Sequence, residues 1–312
     1  RDSPYPQCFY TDIFSAVAEL SGDPDLDFIN SLESGPSLGF VEPLSTNPLV
    51  FPDRVKLKKY DPPREFVGNY MSTYDKINAI QAQIDKEISL GRISGPLSFE
   101  QLHQLYQNVR INAIGAEIKD LLDPSRIRIL VDATQAGVNQ YIKLSMQPTR
   151  PSLADLMRVL PLFPEPAGVK WDGVGAHRQI KVQDNEQALV TIMNNDAYFV
   201  NNVGTFGFSS AGQNWDRAAS AVHRFALSLC LRFPIFLFLF VDDTFMLCNK
   251  EDIPLLLPLI ITFMMTLGYP LIQRKFWLDQ NLIWVGFAID LTQRLAGIAE
   301  VKRRFMLEAL LK

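Results

Sequence analysis

The segment that most restricts this chain is Phe236-Leu-Phe-Leu-Phe-Val-Asp242-Asp243-Thr-Phe-Met-Leu-Cys248. Two runs of apolar, β-prone residues flank a pair of adjacent carboxylates. The pattern reads as a strand over 233–241 and a second over 244–248. Burying ionised carboxylates in such surroundings is costly unless they are paired or bind a metal. The nearest bases, Arg232 and Lys250, stand well outside the pair. A divalent cation is therefore the simplest compensation. A tight hairpin that turns both acids to water suits the same residues, because Asp-Asp is ordinary turn chemistry. This segment alone leaves both readings open.

Its surroundings favour a globular α+β protein, helices packed on an antiparallel sheet. Of 312 residues, 47% are hydrophobic and 21% charged, enough for about two domains at ~150 residues each. Three scattered cysteines and three histidines argue against a disulfide scaffold or a zinc site. Helical spacing of Ile77, Ile80, Ile84 and Ile88 marks one helix, with Gly91 as its stop. Ser98 with Gln101 forms a capping box for a helix reaching about Asn108. Strands are expected at Arg126–Val131, 169–172, 178–182, 188–193 and 198–200. Ser152 with Asp155 opens a short helix, and a longer one runs over about 213–231. A hairpin-like pair is expected around 271–276 and 282–289. Trp215, Phe225 and Met264 read as core. The apolar run 253–267 falls short of the ~20 residues that a membrane span needs, so it reads as a buried helix. No secretory segment is visible, which suggests an intracellular setting, nucleus or cytoplasm, with no membrane. Beginning at Arg1 and ending in a helix-like pattern, the chain reads as an excerpt of something longer.

A third carboxylate tips the balance at the Asp pair. In Lys170-Trp-Asp172-Gly-Val-Gly-Ala-His177-Arg-Gln-Ile180, Asp172 closes a short strand. Three carboxylates at strand ends of one sheet provide the oxygen donors that Mg²⁺ requires. Two such ions can stabilise the attacking and leaving oxygens of an in-line phosphoryl displacement.

In this order the segments resemble the fingers and palm of a retroelement reverse transcriptase. They are most similar to those of retrotransposons that encode a tyrosine recombinase (DIRS type). The likeness runs from about Ile77 to Ile289. Ile84–Ile93 is similar to the family's opening helix. Arg126-Ile-Arg-Ile-Leu-Val-Asp132, with Gly137-Val-Asn139, looks like its fingers strand. Trp171–Ile180 matches motif A, Thr205-Phe-Gly-Phe-Ser-Ser-Ala211 motif B, and Phe240-Val-Asp-Asp243 motif C. Leu267–Lys275 resembles motif D, and Trp284-Val-Gly-Phe287 motif E.

The resemblance implies a right-hand polymerase with its thumb missing or truncated. An acidic arm and linker would span 1–66, fingers 67–166, a palm 167–290, and the start of a C-terminal helix 291–312. It implies RNA-directed DNA synthesis with two Mg²⁺ ions, or Mn²⁺ in their place, on a primed RNA or DNA template with dNTPs. Asp172 and Asp242 would hold both metals. Asp243 would be accessory, and the Gly173 carbonyl a further ligand. Arg128 would stack on the incoming base and touch phosphate, with Arg126 as its substitute and Lys119 as a looser triphosphate contact. Phe206 and Gly207 would line the nucleotide pocket. Lys275 would protonate the leaving pyrophosphate, and Gly286 with Phe287 would grip the primer end.

Bland readings stand beside these. Arg126 and Arg128 suit a solvated strand edge, Lys275 a charged surface, and Phe206 a core. Two departures from the family pattern are notable. His177 stands where the family has Tyr or Phe as a sugar-side gate, which opens the question of dNTP against NTP. Motif B lacks its two prolines, with Thr205 and Gly212 in their places. An RNA-dependent RNA polymerase shares the palm, but typically has Asp at the His177 position and Gly at that of Val241. A relic that only binds nucleic acid is the third alternative.

Net charge, at −4, at first opposes a nucleic-acid partner. It is an average over unlike parts. Residues 1–53 hold nine acids and only Arg1 as a base, a balance of −8, so the remainder carries −4 − (−8) = +4. That surplus is the sign that template phosphates favour. The basic run Arg54, Lys56, Lys58, Lys59 and Arg64 is either a phosphate contact or a solvated linker.

Overall fold

Caps, apolar stripes and two-residue turns set the elements. The computed structural model describes residues 6–41, 44–52, 65–119, 123, 126–142, 144, 146–271 and 276–310. In chain order they form α1 (Thr11–Ser21), α2 (Leu26–Ser31), α3 (Ile77–Ser89), β1 (Ile93–Leu97), α4 (Phe99–Leu105), β2 (Ile111–Ile118), β3 (Ile127–Asp132), α5 (Val138–Tyr141) and α6 (Leu153–Val159). There follow β4 (Pro166–Asp172), β5 (Thr191–Asn194), β6 (Ala197–Asn201), α7 (Ser209–Leu229), β7 (Ile235–Phe240), β8 (Asp243–Asn249) and α8 (Ile253–Thr266). Last come β9 (Trp277–Asp279), β10 (Asn281–Trp284), β11 (Phe287–Asp290), β12 (Leu295–Ile298) and α9 (Glu300–Leu310). This is the expected α+β class. The chain divides into two compact units, Arg1–Pro148 with Gly175–Ala218, and Thr149–Val174 with Ala219–Lys312. The basic run at 54–64 lies outside the described residues.

The first unit holds a sheet of order β1-β6-β5-β2-β3, in which β2 and β5 run parallel and the other pairs antiparallel. The isoleucine stripe of α3 packs Ile80 and Ile84 against Ile93, Ile114, Ile127 and Phe199. Helix α4 opens with the expected capping box, Ser98 accepting from the Gln101 amide while the Gln101 side chain accepts from Ser98. It ends at Leu105, short of Asn108, whose φ is +55°.

The N-terminal acids are not all solvated. Asp25 forms a buried two-point ion pair with Arg217 of α7, at 2.5 and 2.8 Å. The buried Glu186 carboxylate accepts from the backbone amides of Leu38, Phe40 and Val41 and from the Ser37 hydroxyl. Helix α1 begins at Thr11, with Tyr10 at the cap and no side-chain bond there.

Two expected strands differ. Residues Ala176–Gln179 form a 3-10 turn, and only Lys181 bridges, to Val203. The alternating side chains that suggested a strand are claimed by tertiary partners. Arg178 pairs with Glu87 at 2.7 Å and bonds Asn201, and Gln179 accepts from Arg92. The strand expected over 188–193 starts only at Thr191. Residues Asp184–Val190 are 3-10, bent where Glu186 is drawn to the 37–41 segment.

The second unit holds an antiparallel sheet of order β7-β8-β4-β9 and a three-stranded sheet β10-β11-β12. Phe238, Phe245, Trp284, Leu160 and Phe163 share its core. Helix α6 starts with the expected Ser152–Asp155 capping box. The stretch 282–289 is itself a hairpin, turning at Val285 and Gly286 with φ of +50° and +80°. Positive φ at both turn residues is the I′ geometry that matches strand twist. Of the expected partner segment 271–276, residues 272–275 lie outside the described residues. Helix α8 buries Ile253, Leu256, Ile260 and Met264 along one stripe. Among the described residues no helix is long and apolar enough to cross a membrane. Trp215 and Phe225 are buried, as expected.

Candidate active site

The acids of the second unit meet at one end of its sheet. β7 and β8 are joined by the two-residue turn Val241-Asp242, with Phe240 opposite Asp243. Val241 has φ +60°. Positive φ at the first turn residue alone is the II′ arrangement, strained for a β-branched side chain. β4 pairs with β8 along its whole length, which sets Asp172 directly opposite Asp243. Residues so paired project to the same face, with Cβ atoms about 4.5–5.5 Å apart. The Gly173 amide donates to the Asp242 carbonyl at 2.7 Å and ties the turn to the end of β4. The sequence-predicted carboxylates are thus neighbours on one sheet end.

Like charges directly opposite one another destabilise a sheet. Part of the compensation is Lys170, two residues before Asp172 and so on the same face. Its ammonium lies 3.1 Å from Asp243 Oδ2. Burial pushes the Asp243 carboxyl up to about 6; Lys170 opposes this, and Asp172 and Asp242 add to it. Its Oδ1 is buried and makes no hydrogen bond. Among the described residues no three His, Cys, Asp or Glu side chains converge closely enough to hold an ion as they stand.

Two supporting residues escaped sequence reasoning. His223 on α7 is buried, with Nδ1 2.7 Å from the Ala219 carbonyl and Nε2 3.0 Å from the hydroxyl of Thr244, the residue after Asp243. The carbonyl requires Nδ1 to carry the proton, so Nε2 accepts from Thr244. Burial drives the His223 pKa down to about 4. Lys170 was discoverable from its two-residue spacing to Asp172. His223 had no local signal, because its partner is 21 residues away.

The first unit carries the residues expected to meet a nucleotide. The Arg128 guanidinium lies 5.4 Å from the centre of the Phe206 ring, which stands 5.1 Å from the His177 ring. Arg128 is also 3.6 Å from Glu117. The Lys119 amide donates to the Arg126 carbonyl at 2.8 Å. Partial burial, then the charges of Arg128 and Arg126, hold the Lys119 ammonium below its usual range, so the three bases are close neighbours.

Gly207 has φ +95°, and a Cβ there would fall 1.7 Å from the Val131 carbonyl oxygen. Asn139 locks this loop, donating to the Gly207 carbonyl and accepting from the Ser209 amide. A Cβ on Gly212 would lie 3.1 Å from the His177 ring. Gly212 therefore leaves the His177 ring space that a larger residue would take. In the second unit Gly286 and Phe287 lie on the β10–β11 hairpin, where the Lys302 ammonium sits 5.1 Å from the Phe287 ring centre. Lys275 lies outside the described residues.

Among solved structures the chain is similar to a foamy viral protease-reverse transcriptase in complex with RNA/DNA hybrid. There the TM-score is 0.58 at 16% identity, over 78% of this chain and 30% of that one. A second foamy viral protease-reverse transcriptase, in complex with dsDNA, gives a TM-score of 0.57 at 14% identity, over 93% of this chain and 56% of that one. The fold is that of a reverse transcriptase. At these identities the likeness is one of fold. The chain spans only 30% and 56% of the length of these two structures. No protein-family model and no curated protein sequence matches it.

Proposed function

We propose that this chain is the polymerase part of a retroelement reverse transcriptase, extending a primer 3′ end with dNTPs on an RNA or DNA template. The carrying observation is Asp172 set opposite Asp243 in register, with Asp242 in the turn between strands. The reverse-transcriptase fold supports the reading, as do neighbouring structures that contain RNA/DNA hybrid or dsDNA. The spelling of the motifs favours a retrotransposon of the tyrosine-recombinase type, acting inside the cell.

The donor set suits Mg²⁺ or Mn²⁺. It is all oxygen, and Asp243 Oδ1 is buried without a hydrogen bond. Asp172 and Asp242 would hold two ions, with Asp243 and the Gly173 carbonyl as accessories. Bound there, the ions supply charge stabilisation to the attacking 3′ oxygen and the leaving pyrophosphate. The side chains do the rest. Arg128, backed by Phe206, offers a flat cation to a base face. Arg126 and Lys119 add positive charge for the triphosphate. His177 meets the sugar side, where a ring smaller than Tyr makes ribonucleotide entry a matter for measurement. Lys275 is assigned the proton for pyrophosphate. Gly286, Phe287 and Lys302 would hold the primer end.

Primer extension in Mg²⁺, with dNTPs and NTPs in parallel, is the test. Asp242→Asn is expected to abolish incorporation; incorporation unaffected by it sinks the assignment. A non-catalytic relic draws support from Lys170 on Asp243, and would bind template tightly with no metal-dependent turnover.

A further inference from the structure

Lys170 is held more firmly than a surface base. Its side chain is 18% exposed, and its ammonium meets three groups: Asp243 Oδ2 at 3.1 Å, the Ile283 carbonyl at 3.3 Å and the Trp277 ring, whose centre is 5.6 Å away. The first is a charge-assisted bond, the second uses another N–H, and the third is a cation–π contact. Trp277 opens β9 beside β4, and Ile283 is on β10, so two different strands fix where the ammonium stands.

The backbone alone would bring Asp172 and Asp243 together, since they are register partners. Yet among the described residues no three acidic or other ligating side chains converge on one point. Lys170 meanwhile holds Asp243 Oδ2 at 3.1 Å. A cation already tethered to one carboxylate of a metal site acts twice against an incoming divalent ion. It occupies a ligand oxygen and it repels.

We infer that Lys170 is a positioning residue that holds Asp243 off the metal site, leaves Asp172 and Asp242 as the primary ligand pair, and sets how tightly the divalent ion binds. The inference rests on the metal-dependent reading above. The tethered lysine leaves Asp243 charged and aligned while no ion is present, and so stands in for the ion in holding the strand ends together.

The test is a Mn²⁺ titration of the chain followed by electron paramagnetic resonance, with no nucleotide. Lys170→Met keeps the stem and removes the charge, and should tighten Mn²⁺ about tenfold, the scale of removing one positive charge a few ångströms from a divalent ion in a water-like dielectric. Lys170→Arg keeps the charge and should bind as the unaltered chain does. The gain should vanish in Lys170→Met with Asp243→Asn, because it arises from freeing that carboxylate. Unchanged or weaker binding by Lys170→Met overturns the inference, as does a gain that survives loss of Asp243. Circular dichroism melting checks each variant for folding, and Lys170→Gln replaces the methionine variant should it not fold. Asp242→Asn should weaken Mn²⁺ in every background. Indifference to Asp242→Asn overturns the metal reading itself, and the role of Lys170 with it.

Discussion

Removing Asp25 should unfold much of the first unit's margin of stability. The Asp25 and Arg217 side chains are 1% and 2% exposed. Asp25 takes two bonds from the guanidinium, and Arg217 Nη1 donates to the Ser45 carbonyl and hydroxyl at 2.8 and 2.9 Å. The Phe28 ring covers the guanidinium at 4.2 Å. Among the described residues, Asp25→Ala leaves the buried positive charge with Ser45 and a ring for company. Breaking a buried pair from one side typically costs about 3–5 kcal/mol. Against the 5–15 kcal/mol typical of a domain, that is about a fifth or more of the total. Replacing both partners, Asp25→Leu with Arg217→Met, removes the stranded charge and should recover most of the loss, since such exchanges are often neutral. Urea denaturation of the single and double variants gives the cycle directly. A screened surface pair would weaken with salt, whereas this one should not respond between low and 1 M NaCl. The reasoning fails if Asp25→Ala costs under about 1 kcal/mol, the range of exposed pairs. It fails equally if the double variant is as unstable as the sum of its parts.

The remaining tests are shorter. His223 is held neutral by burial, with a folded pKa of about 4 against an ordinary 6.5. Unfolding therefore takes up a proton between these values, and stability should decline as pH falls from about 6.5 to 4, by about 3 kcal/mol at the lower end. Denaturation against pH should show that slope, and His223→Gln should flatten it. Asp243 has the opposite sense: its folded value of about 6 lies above an ordinary 3.8, so its contribution is lost as pH rises across that window. Saturating Mg²⁺ should cancel this loss, and melting curves with and without the ion would reveal it. Gly207→Ala forces a Cβ to within 1.7 Å of the Val131 carbonyl, at a φ of +95°. Strain and overpacking together should cost about 3 kcal/mol and cut nucleotide incorporation; a melting temperature within 2 °C of the parent would refute it.

Local chemistry was the legible part of this sequence. The boxes at Ser98 and Ser152 are satisfied within three residues, and the isoleucine stripe of α3 needs only helical spacing. The β7–β8 hairpin announced itself because its strands are apolar on both sides of one acidic turn. What escaped depends on distant partners. Arg178 and Gln179 alternate like strand residues, but Glu87 and Arg92 take their side chains and the backbone follows a 3-10 path. The turn at Val285-Gly286 lacks the Asn-Gly signature that marks I′ hairpins, so one long strand was expected there. For the candidate site, motif order named the three acids, and named Arg128 and Phe206 without their contact. Lys170, His223 and the Asn139 lock needed the register of strands and the packing of α7.

The closeness of His177 and Gly212 limits what residue 212 can become. A Cβ there would press to 3.1 Å from the imidazole, so any side chain, a proline ring included, would crowd the histidine. The demand for glycine at 212 is one of space beside a ring, not of backbone angle. A smaller residue at 177 would lift it, so the two side chains share one allotment of volume.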